Sequence, residues 1–115
     1  CKAAGIALIP VVSPGVPKER LKTLANDATG FWYCTTRQGI TGATSVFASE
    51  LPGFIKTLRN ISNLPVAVGF GVRSRKDVKD LAKVADIVIA GSVFVSSLKK
   101  SKKVSAVEKM MRQLV

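Results

Sequence analysis

Four short apolar stretches of β character alternate along this chain with segments of helical periodicity, and few folds satisfy that order. The stretches are residues 5–12, 31–35, 65–70 and 86–91. Each is a near-continuous apolar run, not a strict alternation, which suits parallel strands buried on both faces. Pro17 opens the first helical segment, where its missing N–H costs nothing. Leu21, Leu24, Ala25 and Ala28 then mark one helix face, and Gly30 ends the turn. A second helix is expected after Ser49, burying Phe54, Leu58 and Ile61. In the third, Ser74 can cap the N-terminus with Asp77 reaching back, while Val78, Leu81 and Ala82 face inward. A short helix over residues 92–98 and a basic linker over 99–103 lead to a final helix. That helix carries Val104, Val107, Met111 and Leu114 on one side.

Repeated βα units specify an α/β fold with a parallel sheet and right-handed crossovers. Four such units form either an open sheet or half of an eight-stranded barrel, here a single segment spanning residues 1–115. Lys2-Ala3-Ala4-Gly5 reads as the last turn of a helix with its glycine cap, and no initiator methionine precedes it. The chain is therefore expected to begin inside a unit, as a segment processed or excised from a larger whole.

Composition narrows the function classes. At 115 residues and 47% hydrophobic content, one domain with a modest core is expected. No apolar run approaches a membrane span and no signal peptide is visible, so a cytoplasmic protein without membrane contact is the expectation. Cys1 and Cys34 are too few for a disulfide framework, and the absence of histidine argues against a zinc site. The formal charge of +11 invites nucleic acid or an acidic surface. However, the cations fall on the polar faces of the helices and do not interleave with aromatic residues, so no nucleic-acid partner is expected.

Function in parallel α/β folds gathers at the C-terminal strand ends. Those ends are Ser13-Pro14-Gly15 and residues 36–42, 69–74 and 90–92. Three of the four are glycine-rich, and two lead straight into helix N-termini, where free N–H groups and the helix dipole favour an anion. Gly69-Phe70-Gly71 together with Gly91-Ser92-Val93 matches the phosphate site that recurs at the last two strands of such barrels. Glycines also serve simply to make tight turns, but two such turns in adjacent strands favour phosphate. Residues 37–49 make a long connection with Gly39 and Gly42 as potential hinges, and its composition fits a mobile lid or a plain surface loop equally.

Acids and bases are scarce at these ends. Glu19, Asp27, Asp77, Asp80 and Glu108 fall on helices, Glu50 lies at a helix entrance, and Asp86 lies at the N-terminal end of its strand. A nucleophilic Cys34 lacks an activating base and reads as a buried thiol. The chain thus presents a binding site without a general acid or base of its own.

Four motifs carry a family resemblance: Gly30-Phe31-Trp32-Tyr33, Arg37-Gln38-Gly39-Ile40-Thr41-Gly42, the run from Pro65 through Gly69-Phe70-Gly71-Val72, and Ala85-Asp86 through Gly91-Ser92-Val93. In order and spacing they resemble the tryptophan synthase alpha chain, a (β/α)8 TIM barrel, with Ile6-Ala7-Leu8-Ile9-Pro10, Pro14 and Glu19-Arg20 fitting its fifth strand and the helix after it. The resemblance covers essentially the whole chain and implies a C-terminal half barrel holding strands five to eight. It implies a lyase of tryptophan biosynthesis that cleaves indole-3-glycerol phosphate to indole and glyceraldehyde 3-phosphate. Indole would pass to a beta chain that alone carries pyridoxal phosphate, with no cofactor or metal here.

Carried over by motif, Tyr33 lines the substrate pocket and Phe70 packs beside the substrate. Arg37 and Thr41 belong to lid closure, with Thr41 helping to orient a catalytic aspartate. Gly42, Gly71, Gly91 and Ser92 hold phosphate through main-chain N–H groups. The family's catalytic glutamate and aspartate belong to the N-terminal half and have no counterpart in these residues, so this half alone is expected to be inactive. An N-terminal half, or a second copy, would complete the ring. The alternatives are another phosphate-binding isomerase or epimerase barrel and a non-catalytic phosphate-binding module.

Overall fold

The computed structural model describes residues 2–35, 44–69 and 71–115. Its strands β1 (Val11–Val12), β2 (Trp32–Cys34), β3 (Val66–Val68) and β4 (Ile87–Val88) form one sheet in the order β1-β2-β3-β4. All three pairings are parallel. Helices α1 (Lys18–Asp27), α2 (Thr44–Ile61) and α3 (Arg75–Ala82) connect successive strands. Helices α4 (Ser92–Ser101) and α5 (Val104–Leu114) follow β4. The βα order expected from the apolar runs is present. The strands themselves are shorter than the runs, partly because Pro10 and Pro65 stand immediately before β1 and β3 and offer no N–H to a ladder.

Register places alternate residues on opposite faces of the sheet. Val12, Cys34 and Val68 share one row and Trp32 pairs with Val66; this face is sealed by the helices, with Leu21, Leu51, Ile55 and Leu58 all in the same buried cluster. Trp32 is completely buried, and its indole N–H donates to Ser62 Oγ at 2.8 Å, which satisfies its one polar atom. The other face carries the row Val11, Tyr33, Ala67 and Ile87. Ala67 is fully buried there, whereas Val11 is 62% exposed and Ile87 39%. Burial on both faces thus holds for β3 and fails at the two edge strands, because among the described residues nothing covers the outer parts of this face.

The element ends follow local chemistry. Lys2–Ala4 form a single 3-10 turn that Gly5 closes at φ +66, as the opening residues suggested. Helix α3 begins with a full capping box: Ser74 Oγ accepts from the Asp77 N–H, and the Asp77 carboxylate accepts from the Ser74 N–H at 2.8 Å. Helix α2 starts at Thr44, so residues 44–49, assigned by composition to a loop, are helical, and Pro52 sits inside the helix. The cationic stretch is likewise no simple linker, since Lys99 and Lys100 lie in the last turn of α4, which ends at Ser101, and only Lys102 and Lys103 join it to α5. Ser97 Oγ then donates to the Ala106 carbonyl across that pair. No described helix is long and apolar enough to cross a membrane.

Candidate functional site

At the C-terminal ends of β2, β3 and β4 lies an open cavity of about 410 Å³. Tyr33 reaches it from β2, Gly69 and Ile89 from the ends of β3 and β4. The turn after β3 contributes Gly71, Val72 and Arg73, and the turn after β4 contributes Gly91 and Ser92. Of the residues singled out from sequence, Tyr33, Gly71, Gly91 and Ser92 therefore come together. Arg37, Thr41, Gly42 and Phe70 lie outside the described residues. Arg73 and Val72, which that reading passed over, complete the wall.

The glycines differ in what requires them. A Cβ on Gly69 would stand 2.5 Å from Ile89 Cβ and 2.8 Å from the Ile89 carbonyl, so glycine is needed for β3 and β4 to approach. Gly71 has φ +71, a conformation that side-chain-bearing residues rarely adopt. Gly91 has neither reason among the described residues: its φ is −120 and a Cβ there would meet none of them within 4 Å. Its missing side chain leaves open space at the cavity among the described residues. Tyr33 is held by a hydrogen bond from its hydroxyl to the Gly69 carbonyl at 2.9 Å, which fixes the ring across the β2 and β3 ends.

The two helix N-termini facing this region are not equivalent. At α3, Asp77 Oδ2 accepts from the N–H groups of Arg73 at 2.9 Å and Ser74 at 2.8 Å, and from Ser74 Oγ at 2.9 Å. The Arg73 N–H foremost, with the Ser74 contacts, holds the Asp77 carboxyl below its usual range. That terminus has already taken its anion from within the chain. Helix α4 has no side-chain cap and no acid in its first turn. The Gly91 carbonyl accepts from Phe94 and Val95, while the N–H groups of Ser92 and Val93 find no acceptor among the described residues. The open helix end, with its partial positive charge, is α4.

No carboxylate, histidine or lysine lines this cavity among the described residues, and the Tyr33 hydroxyl is already committed to the Gly69 carbonyl. The Asp86 carboxylate accepts from the Val66 N–H at 2.8 Å and from Arg59 Nη2 at 3.0 Å, and these contacts, the first above all, hold its carboxyl below the usual range. Cys34 is buried, and desolvation pushes its thiol up to about 12, so it is no nucleophile. Among the described residues no group of three or more potential ligand side chains could hold a metal ion.

A parallel βα sheet with a cavity at its carboxyl strand ends, glycine turns in its wall and an uncapped helix beside it defines an α/β protein of the barrel type with a candidate ligand site. The model of the tryptophan synthase alpha chain family matches residues 1–115. The tryptophan synthase alpha chain of Campylobacter jejuni is 46% identical over 99 residues, which are 86% of this chain and 40% of that relative. That of Bacillus subtilis is 38% identical over 102 residues, 89% of this chain and 38% of the relative. Among solved structures, the alpha subunit from Campylobacter jejuni superposes with a TM-score of 0.87 at 40% identity, covering 100% of this chain and 46% of that one. Tryptophan synthase from Mycobacterium tuberculosis gives 0.82 at 32% identity, covering 98% and 42%. The chain belongs to the tryptophan synthase alpha chain family, and it spans less than half the length of these relatives.

Proposed function

We propose that this chain supplies the phosphate-holding side and the lid of an alpha-chain lyase that cleaves indole-3-glycerol phosphate to indole and glyceraldehyde 3-phosphate. The observation that carries the reading is the open N-terminus of α4 beside Gly91, a glycine that its own packing and backbone do not require. The substrate's phosphate would accept from main-chain N–H groups at Gly71, Gly91 and Ser92, with Ser92 Oγ beside them. The indole ring would lie toward Tyr33 and Phe70. Arg37 and Thr41 keep the lid roles, and Gly42 the phosphate role, that the resemblance implies.

Cleavage puts a proton on the departing indole carbon and removes one from the glycerol hydroxyl that becomes the aldehyde, so it needs a general acid and a general base. The described cavity lining offers no carboxylate or histidine for either role, and the reading assigns both to a complementary N-terminal half. Indole would then pass to a beta chain, where the pyridoxal phosphate belongs. A non-catalytic phosphate-binding module is the second reading, favoured by the same lack of a carboxylate in the described lining.

The test is indole formation from indole-3-glycerol phosphate. No turnover is expected from the chain alone, and turnover is expected when a separately produced N-terminal half is added. Turnover by the chain alone would refute the division of labour. Failure on complementation, with phosphate still bound, would favour the non-catalytic module.

A further inference from the structure

We propose that the Arg73 guanidinium is a direct ligand of the phosphate and supplies the formal positive charge that the main-chain donors lack. The inference rests on the phosphate reading above and names the group that makes the site select an anion. Arg73 is the one charged residue of the described cavity lining. Its backbone is fixed, because its N–H donates to Asp77 Oδ2 at 2.9 Å. Its guanidinium makes no hydrogen bond or ion pair among the described residues. Arg59 is engaged with Asp86, Arg112 with Glu108, and Arg75 with the Val115 carbonyl, while Arg20, also without such a partner among the described residues, stands on α1 and is not part of the cavity lining.

The electrostatics of the site favour such a cation, although free N–H groups at a helix end can hold an anion by themselves. An uncapped helix end offers only about half a unit of positive charge, against nearly two negative charges on a phosphate monoester. Asp77, kept ionised at the neighbouring helix start, adds negative charge next to the cavity wall. Together with the Arg73 N–H, the Arg73 charge acts on the Asp77 carboxylate and helps hold it below its usual range, and the guanidinium carries paired N–H groups in the fork geometry that suits phosphate oxygens. Arg73 itself is exposed, so its side chain can swing to the anion from the cavity rim.

Inorganic phosphate is the probe, titrated into the 115-residue chain by isothermal calorimetry at low and high salt. Arg73→Ala is expected to weaken binding about tenfold and to flatten its salt dependence, as loss of a charge-assisted contact should. Arg73→Lys is expected to recover part of the affinity and most of the salt slope. Arg73→Gln, which keeps length without charge, should behave like the alanine variant. Gly91→Val fills the seat itself and should abolish binding. Phosphate binding that survives the Ala and Gln variants within twofold, yet fails in Gly91→Val, overturns the role of Arg73 and leaves the phosphate site standing. Absence of binding by the unaltered chain overturns both.

Discussion

Gly69 and Gly91 both end a strand and both line the cavity, yet their missing Cβ atoms answer different demands. At Gly69 the neighbour is backbone and a β-branched side chain, the Ile89 carbonyl and Cβ, neither of which can swing aside. Gly69→Ala is therefore expected to cost about 1–3 kcal/mol as β3 and β4 are forced apart. Gly91→Ala, with open space around it, should change stability by less than about 0.5 kcal/mol. Urea unfolding followed by the fluorescence of Trp32, the chain's single tryptophan and fully buried, checks both. Equal losses at the two positions would refute the distinction. Residue type alone marks both positions as strand-end glycines, and the spacing between the third and fourth apolar runs brings them together. Which glycine serves packing and which leaves space depends on Ile89, a contact across two strands that no local pattern encodes. Arg73 is less legible for a related reason: it stands in the strand-end stretch, but glycines and free N–H groups mark an anion seat whatever side chain follows them.

Elements are joined at the opposite end of the sheet by Asp86. Its two carboxylate oxygens accept from the first N–H of β3 and from Arg59 near the end of α2, while its own N–H donates to the Val66 carbonyl at 3.0 Å. One side chain thus ties two strands and a helix. Asp86→Asn should cost about 1 kcal/mol at neutral pH, a modest figure because both partners of the ion pair are nearly half exposed. Because the folded carboxyl is held below its ordinary value of 3.8, its contribution is complete above that value. It drains away as pH falls through the lower folded value. The unaltered chain should therefore lose its advantage over Asp86→Asn in acid, with the two unfolding curves converging. A constant gap in stability between neutral and strongly acid solution would show that the charge is not what matters. At this scale the sequence is readable where the signal is local. Ser74 and Asp77, three residues apart, announce the start of α3 and deliver it. Residues 44–49 mislead, because Ser49 followed by Pro52 imitates a helix start, while the helix begins at Thr44 and accommodates the proline internally.

For the whole molecule, one face of the sheet decides what the chain can do next. Val11 and Ile87 stand exposed on either side of Tyr33 and Ala67, and among the described residues β1 and β4 end the sheet as open edges. The apolar runs were legible as buried strands, but what buries their second face is not written in these residues; the register shows only that the face exists. Two completions are conceivable, a second copy or an N-terminal half. A second copy must bring one formal charge of +11 against another, a repulsion that salt screens. An N-terminal half carries no such obligation, and it would also bring the acid and base that the described lining lacks. The chain by itself is therefore expected to sediment as a monomer at low salt and to self-associate only as salt rises. Mixed with a separately produced N-terminal half, it should form a one-to-one complex at low salt, and substituting Val11→Asp on the exposed row should weaken that complex at least tenfold. Sedimentation velocity reads all three states. A tight homodimer at low salt, indifferent to the added half, would mean that two copies of this sheet close on each other and that the proposed complement is not its partner.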